Sequence, residues 1–230
     1  MERYEQLVEE TRLDHTEHIL ENPLIKMLMT GAVTHDLYAA YLGQTYHLVR
    51  HTSRTLALAA GRCGDDRRGL RAWFIEQAGE EQGHELFCLK DLKNLGLEPA
   101  TVVDAGPGAG AWGLVAQNYY MATYGNPVGM LGVATATEGL GAQLAGAMAQ
   151  LLVERYRVPD TAVTFLRSHA GFDKGHLEEA RRAVNEYATQ VQDYRDVVHA
   201  RRMTYRYYGR LFRDVAESKA VYFENAQKAA

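Results

Sequence analysis

Cysteine is scarce in this sequence: its 230 residues include only two, Cys63 and Cys88. A lone pair cannot build the disulfide framework that staples small secreted domains. Neither cysteine has a CxxC partner, which argues against a structural zinc site. A basic excess is also missing, since 25 Lys+Arg stand against 29 Asp+Glu for a formal net charge of -4. Such a chain has little with which to condense on nucleic-acid phosphates. Nor is there a clean apolar run of membrane length, because the most apolar stretch, 128–153, is interrupted by Glu138, Gln143 and Gln150. The opening residues mix acids and bases without an apolar core and do not read as a signal peptide. These absences leave a soluble, cytoplasmic chain, and 230 residues suit one well-buried domain covering 1–230.

What is present is helical periodicity without strand signals, which predicts an all-α bundle of seven or eight helices. An opening segment, Tyr4 to His18, meets a turn at Asn22-Pro23, and a short segment runs from Leu24 to Met29. Thr34 is the expected N-cap of a long helix reaching about Ala60. Further helices are expected over Arg67 to Leu95, Ala111 to Tyr124, Pro127 to Tyr156 and Asp160 to Tyr187, with a C-terminal helix and tail from about 189. The Gly/Ala-rich stretch around Glu138 reads as a central helix packed closely against its neighbours.

The chemistry-bearing pattern is His169-x3-Asp173-x2-His176. At about 100° per residue these side chains share one helix face, so two imidazoles and a carboxylate converge. Glu81-x2-His84 repeats the acid-x2-His spacing on another segment. Glu138 is a lone charge among Val, Ala, Thr and Gly, costly to bury unless paired or bound to metal. Glu81, His84, Glu138, His169, Asp173 and His176 thus supply three imidazoles and three carboxylates. Helical bundles hold di-iron or di-manganese pairs with such sets. The nitrogen and oxygen donors suit two Fe(2+) ions per chain, with positions left for dioxygen and substrate.

With these residues in place, the chain resembles the haem-oxygenase-like di-iron oxidases and oxygenases, within the superfamily of haem oxygenase, thiaminase II and pyrroloquinoline-quinone synthase. The likeness extends from the segment Tyr38 to His47 to about Tyr187. It implies a haem-oxygenase-like helical bundle and iron ligation by His84, Glu138, His169, Asp173 and His176. For the remaining carboxylate it favours Glu81, with Glu80 and Glu76 in reserve. Members like the para-aminobenzoate synthase place that acid where Gln77 stands here, and have a tyrosine where this chain has Thr137. Haem itself is not implied, although His15 and His18 lie where a haem ligand would be sought.

The resemblance further implies a dioxygen-dependent oxidase or oxygenase acting on a small carboxylate or amino-acid-derived substrate by C–C cleavage, desaturation or N-oxygenation, with an external electron donor. The site is expected to open toward Tyr38 to Arg54, where Tyr41, His47 and Arg50 are the catalytic candidates, Arg50 as a fork for a substrate carboxylate. Two other readings stand beside it: a metal-independent enzyme like thiaminase II or the quinone synthase, and a non-enzymatic metal-binding or partner protein. Tyr205, Tyr207, Tyr208, Leu211 and Phe212 are expected to complete the core or a homodimer interface.

Overall fold

A computed structural model describes the backbone of residues 2–229, and their side chains except those of 173, 174 and 226–229. In chain order the α-helices are α1 (Arg3–His15), α2 (Pro23–Thr30), α3 (His35–Val49), α4 (Thr52–Arg62), α5 (Arg68–Glu80), α6 (Glu85–Asn94), α7 (Pro99–Val103), α8 (Ala109–Thr123), α9 (Met130–Leu140), α10 (Gly146–Glu154), α11 (Thr164–Tyr187), α12 (Val191–Ala216) and α13 (Tyr222–Ala229). No strand occurs among the described residues.

The all-α expectation agrees with this structure, but seven or eight helices is too few. The long expected helices are subdivided. The segment from Thr34 turns at Arg50 and His51, where the His51 amide bonds back only three residues to Leu48. The segment from Arg67 breaks at Glu81–His84, and the segment from Pro127 contains a π-helical turn, Gly141–Ala145. Local starts follow the expected chemistry: the Asn22 side chain accepts from the Leu24 amide with Pro23 in the first turn, and Thr34 accepts from Leu37.

α12 is the central strut, packed against α8 and α9 and also against α1, α2 and α3. Two glycines let backbones meet there. A Cβ at Gly110 would collide with the Leu211 amide nitrogen, and one at Gly132 with the Val197 carbonyl oxygen. The close packing expected of the Gly/Ala-rich segment is therefore a backbone-to-backbone approach.

A second joint fixes α6 against α11. Asp91, fully buried on α6, accepts from the Thr164 amide at 3.0 Å, the Thr164 hydroxyl at 2.6 Å and the Phe165 amide at 2.8 Å. A carboxylate at a helix N-terminus satisfies orphan amides and complements the helix dipole. Apolar side chains gather in three clusters, and Leu56 and Val133 of one, Val49 and Leu166 of another, and Leu114 and Phe212 of the last border a shared internal cavity of about 130 Å³.

Replacing Asp91 by Ala strands the first amides of α11 and should lower the unfolding free energy by ~3 kcal/mol in urea titrations. Gly132→Val should cost at least ~2 kcal/mol, because rigid backbone lies where the side chain must go.

Candidate metal centre

Glu81 and His84 occupy the turn between α5 and α6. Gly83 makes that turn with φ 89°, a left-handed conformation that favours glycine. The Glu81 amide closes α5 on Gln77, while Phe87 bonds back to the His84 carbonyl to begin α6. Sequence spacing placed the acid and histidine on one continuous helix, whereas the structure pairs them across a break. Glu138 lies in the last turn of α9, just before the π-helical turn, a feature that often marks functional sites. His169 and His176 are seven residues apart on α11, and hence on one face.

These elements bring five of the six expected side chains together. Ligand atoms of Glu81, Glu138 and His176 all lie within 4.8 Å of one another, the one such triad among the described residues. His176 Nδ1 is 3.5 Å from Glu138 Oε2, and His84 Nδ1 is 3.4 Å from Glu81 Oε2. The His169 ring stands edge-on to that of His84 with centroids 5.1 Å apart. His169 Nδ1 is 2.8 Å from the Phe165 carbonyl. A carbonyl can only accept, so Nδ1 carries the proton and Nε2 keeps the lone pair a metal needs. The side chain of Asp173 lies outside the described residues.

His84 Nδ1 and His176 Nδ1 are buried without a hydrogen-bond partner, despite carboxylates within reach. Buried polar atoms are rarely left so, and each such case calls for an explanation such as an ion. Two donors each about 2.1 Å from a divalent ion stand about 3 Å apart, close to these separations. The oxygen and imidazole donor set therefore fits a divalent ion of the iron or manganese kind.

The electrostatics agree. The neighbouring Glu138 carboxylate raises His176 to a pKa of about 9, against an ordinary 6.5. Glu81 likewise pushes His84 up, burial pushes Glu138 up, and burial pushes His169 down. A cation at the cluster would compete with the protons that the carboxylates favour on His84 and His176.

Around the centre, Glu80 faces the other nitrogen of His176 at 3.4 Å and accepts from Gln77 at 2.9 Å. Gln77 also donates to Glu179 at 3.1 Å. Glu76 is exposed and outside the triad. Sequence reading missed Glu179 and the linking role of Gln77, which depend on a contact between distant helices.

Glu81, Glu138 and His169 border the internal cavity, together with Tyr41, Tyr208 and Phe212. His47 and Arg50 do not. His47 Nε2 meets the Val103 carbonyl at 2.9 Å, tying α3 to α7. Arg50 is exposed, its guanidinium 5.2 Å from the centre of the Tyr46 ring. Nine residues after Tyr41, it falls about half a turn away around the helix. Phe212 is buried and Tyr208 borders the cavity, so both complete the interior. Asn118 also borders the cavity, and its buried Oδ1 has no hydrogen-bond partner. A side-chain amide buried in the otherwise apolar turns of α8 is the same kind of signal as Glu138.

Residues 39–209 match the family described as iron-containing redox enzyme, and the chain belongs to that family. Among solved structures, a domain of unknown function with a heme oxygenase-like fold from Shewanella denitrificans has a TM-score of 0.85 at 23% identity, covering 99% of this chain and 96% of that one. A TenA homologue from P. horikoshii has a TM-score of 0.76 at 15% identity, covering 94% and 98%. Heme oxygenase-1 from the cyanobacterium Synechocystis, in complex with heme, has a TM-score of 0.72 at 14% identity, covering 100% and 96%. These likenesses establish a fold of the haem-oxygenase and TenA kind. No curated protein sequence matches the chain. No described helix is long and apolar enough to cross a membrane.

Because the folded chain holds the His176 proton more tightly than the unfolded chain, that stabilisation is complete below about pH 6.5 and disappears as pH rises through about 9. Urea unfolding of chelator-treated protein should show stability falling across this window, and His176→Gln should flatten the decline. Metal competes with the same proton, so metal affinity should rise with pH over this range, with proton release measurable by calorimetry in buffers of different ionisation enthalpy.

Proposed function

We propose that the chain is a non-haem iron oxidase or oxygenase, in which Glu81, His84, Glu138, His169, Asp173 and His176 hold two Fe(2+) ions and dioxygen is the co-substrate. The observation that carries this reading is the meeting of five described donor side chains from the α5–α6 turn, α9 and α11, with two buried imidazole nitrogens lacking hydrogen-bond partners. Membership of the iron-containing redox enzyme family supports iron as the metal. Bound iron supplies one-electron chemistry that protein side chains lack, and so allows reaction with dioxygen.

The chain's own residues do the rest. Phe165 fixes the His169 ring through its carbonyl, and Gln77 holds Glu80 toward His176. Phe172 stacks on His84 with centroids 5.8 Å apart, covering that imidazole with an apolar ring. The adjoining cavity is comparable in size to engineered cavities that accept a benzene-sized molecule. No Lys or Arg borders it among the described residues. A small carboxylate or amino-acid-derived substrate would therefore lay its apolar part along Leu114, Val133 and Phe212. Its polar end would be met by Asn118, Thr52, Tyr208 or the metal centre, and Arg50 is not its clamp. An external donor would supply electrons.

A second reading is a metal-independent enzyme of the thiaminase II kind. It is favoured by the likeness to TenA homologues and by the short Glu138–His176 approach, which can hold a proton without metal.

Anaerobic loading with ferrous iron separates the two. The proposal expects about two irons per chain, as in other carboxylate-bridged helical sites. Glu138→Ala and His176→Ala should each weaken metal binding by ~100-fold or more, beyond the usual effect of changing an outer-shell partner. Mössbauer and metal analyses showing no bound iron in the wild type would overturn the proposal in favour of the second reading.

A further inference from the structure

On the other side of the α9 π-helical turn lies a second chamber, a cleft of about 420 Å³ between α1, that turn, α11 and α12. Arg201 of α12 forms part of it and is only 5% exposed. Three other arginines of the helix are matched with acids: Arg202 and Arg206 with Asp14 at 3.5 and 3.0 Å, and Arg210 with Asp214 at 2.6 Å. Arg201 pairs with no carboxylate among the described residues, and its buried Nη1 has no hydrogen-bond partner.

What Arg201 does have is aromatic. Its Nε donates to the Tyr205 hydroxyl at 3.1 Å, and its guanidinium carbon stands 5.7 and 5.5 Å from the Tyr4 and Tyr205 ring centres. Such contacts orient a guanidinium and supply modest attraction, but they do not neutralise it. Burying an uncompensated charge is among the costliest arrangements in a fold. Arg12 and His15 also border the cleft, and no Asp or Glu does so among the described residues. In a chain of net charge -4 the uncompensated Arg201 makes this a locally positive site. Burial, with Arg201 adding to it, pushes His15 below its ordinary pKa.

We infer that this cleft is a binding site for a small oxyanion-bearing molecule, a carboxylate or a phosphate, held by Arg201. The occupant supplies the missing counter-charge and accepts from the guanidinium. Arg12 at the cleft wall, whose guanidinium is 3.5 Å from Glu9, adds to the attraction, and His15 offers a ring nitrogen for a hydrogen bond. The site is distinct from the apolar cavity yet shares walls with the metal centre. Gly139 borders the cleft immediately after Glu138, and Leu177 does so immediately after His176. An anion bound there presses on the two segments that carry these donor residues.

The test is thermal unfolding of the full chain at constant ionic strength with sodium chloride as control, titrated separately with succinate and inorganic phosphate. Metal-loaded and chelator-treated protein are run in parallel. The inference expects a saturable rise in Tm with at least one anion in both preparations, and the more effective arm tells carboxylate from phosphate. Arg201→Met should weaken the apparent affinity by at least ~10-fold while Arg201→Lys retains part of it. If Arg201→Met does not fold, the Nε resonance of Arg201 in the unmodified protein should move with anion concentration along the same saturation curve. Equal responses to chloride, an anion effect seen only with metal present, or an undisturbed Arg201 resonance at saturation would each overturn the inference. Because the chelated protein is expected to respond, failure here is distinguishable from failure of the iron reading.

Discussion

The arrangement depends first on the buried carboxylate of Asp91. The candidate metal centre draws on α11 for His169 and His176 and on the turn before α6 for His84, and Asp91 joins the bodies of these two helices. It binds the first amides of α11 directly, so the axial position of α11 is set relative to α6. A slide of one helix past the other would strand a buried charge and unpaired amides together. The imidazoles further along α11 inherit that register. Precision at the donor set thus comes from a cap at the beginning of the helix, one turn before His169.

The third contribution, Glu138, reaches the centre by a different route. α9 is threaded close to α12 through Gly132, with no side chain between the two backbones. That proximity leaves the opposite flank of α9 for polar work: Glu138 faces the donor cluster, while Gly139 and Gln143 face the cationic cleft. One helix therefore forms a partition between two chambers of different character, one largely apolar and one positively charged.

Much of this was legible in the sequence. The helical class followed from periodicity, Thr34 as a cap followed from its chemistry, and the residues that meet at the candidate centre, Asp173 apart, had been singled out by spacing and by the oddity of a charge among small apolar residues. The helix count was not legible. Breaks at Arg50–His51 and at Glu81–His84 interrupt segments whose apolar periodicity continues on both sides, and only Gly83 signals the second of them. The π-helical turn leaves no residue-type signature at all. Arg50 shows that residue type alone does not give position: the type suits a carboxylate, but just past the end of α3 the side chain is exposed and does not border the cavity. Gln77, Glu179 and Arg201 became informative only when distant helices were brought together, because what matters about each is the partner it has or lacks.

The wide turn at Gly141–Ala145 has a consequence for how such a chain tolerates change in length. A π-helical turn accommodates one residue more than an ordinary turn, so removing a single residue there would restore a regular helix and leave everything downstream close to its present rotation relative to Glu138. The change would fall on the turn itself, whose residues are shared between the chambers: Leu144 and Ala145 border the apolar cavity, Ala142 and Gln143 the cationic cleft, and four residues cannot serve both walls as five do. Descendants of this sequence could lose one residue there and keep the helix beyond in place, at the expense of the wall between the two chambers.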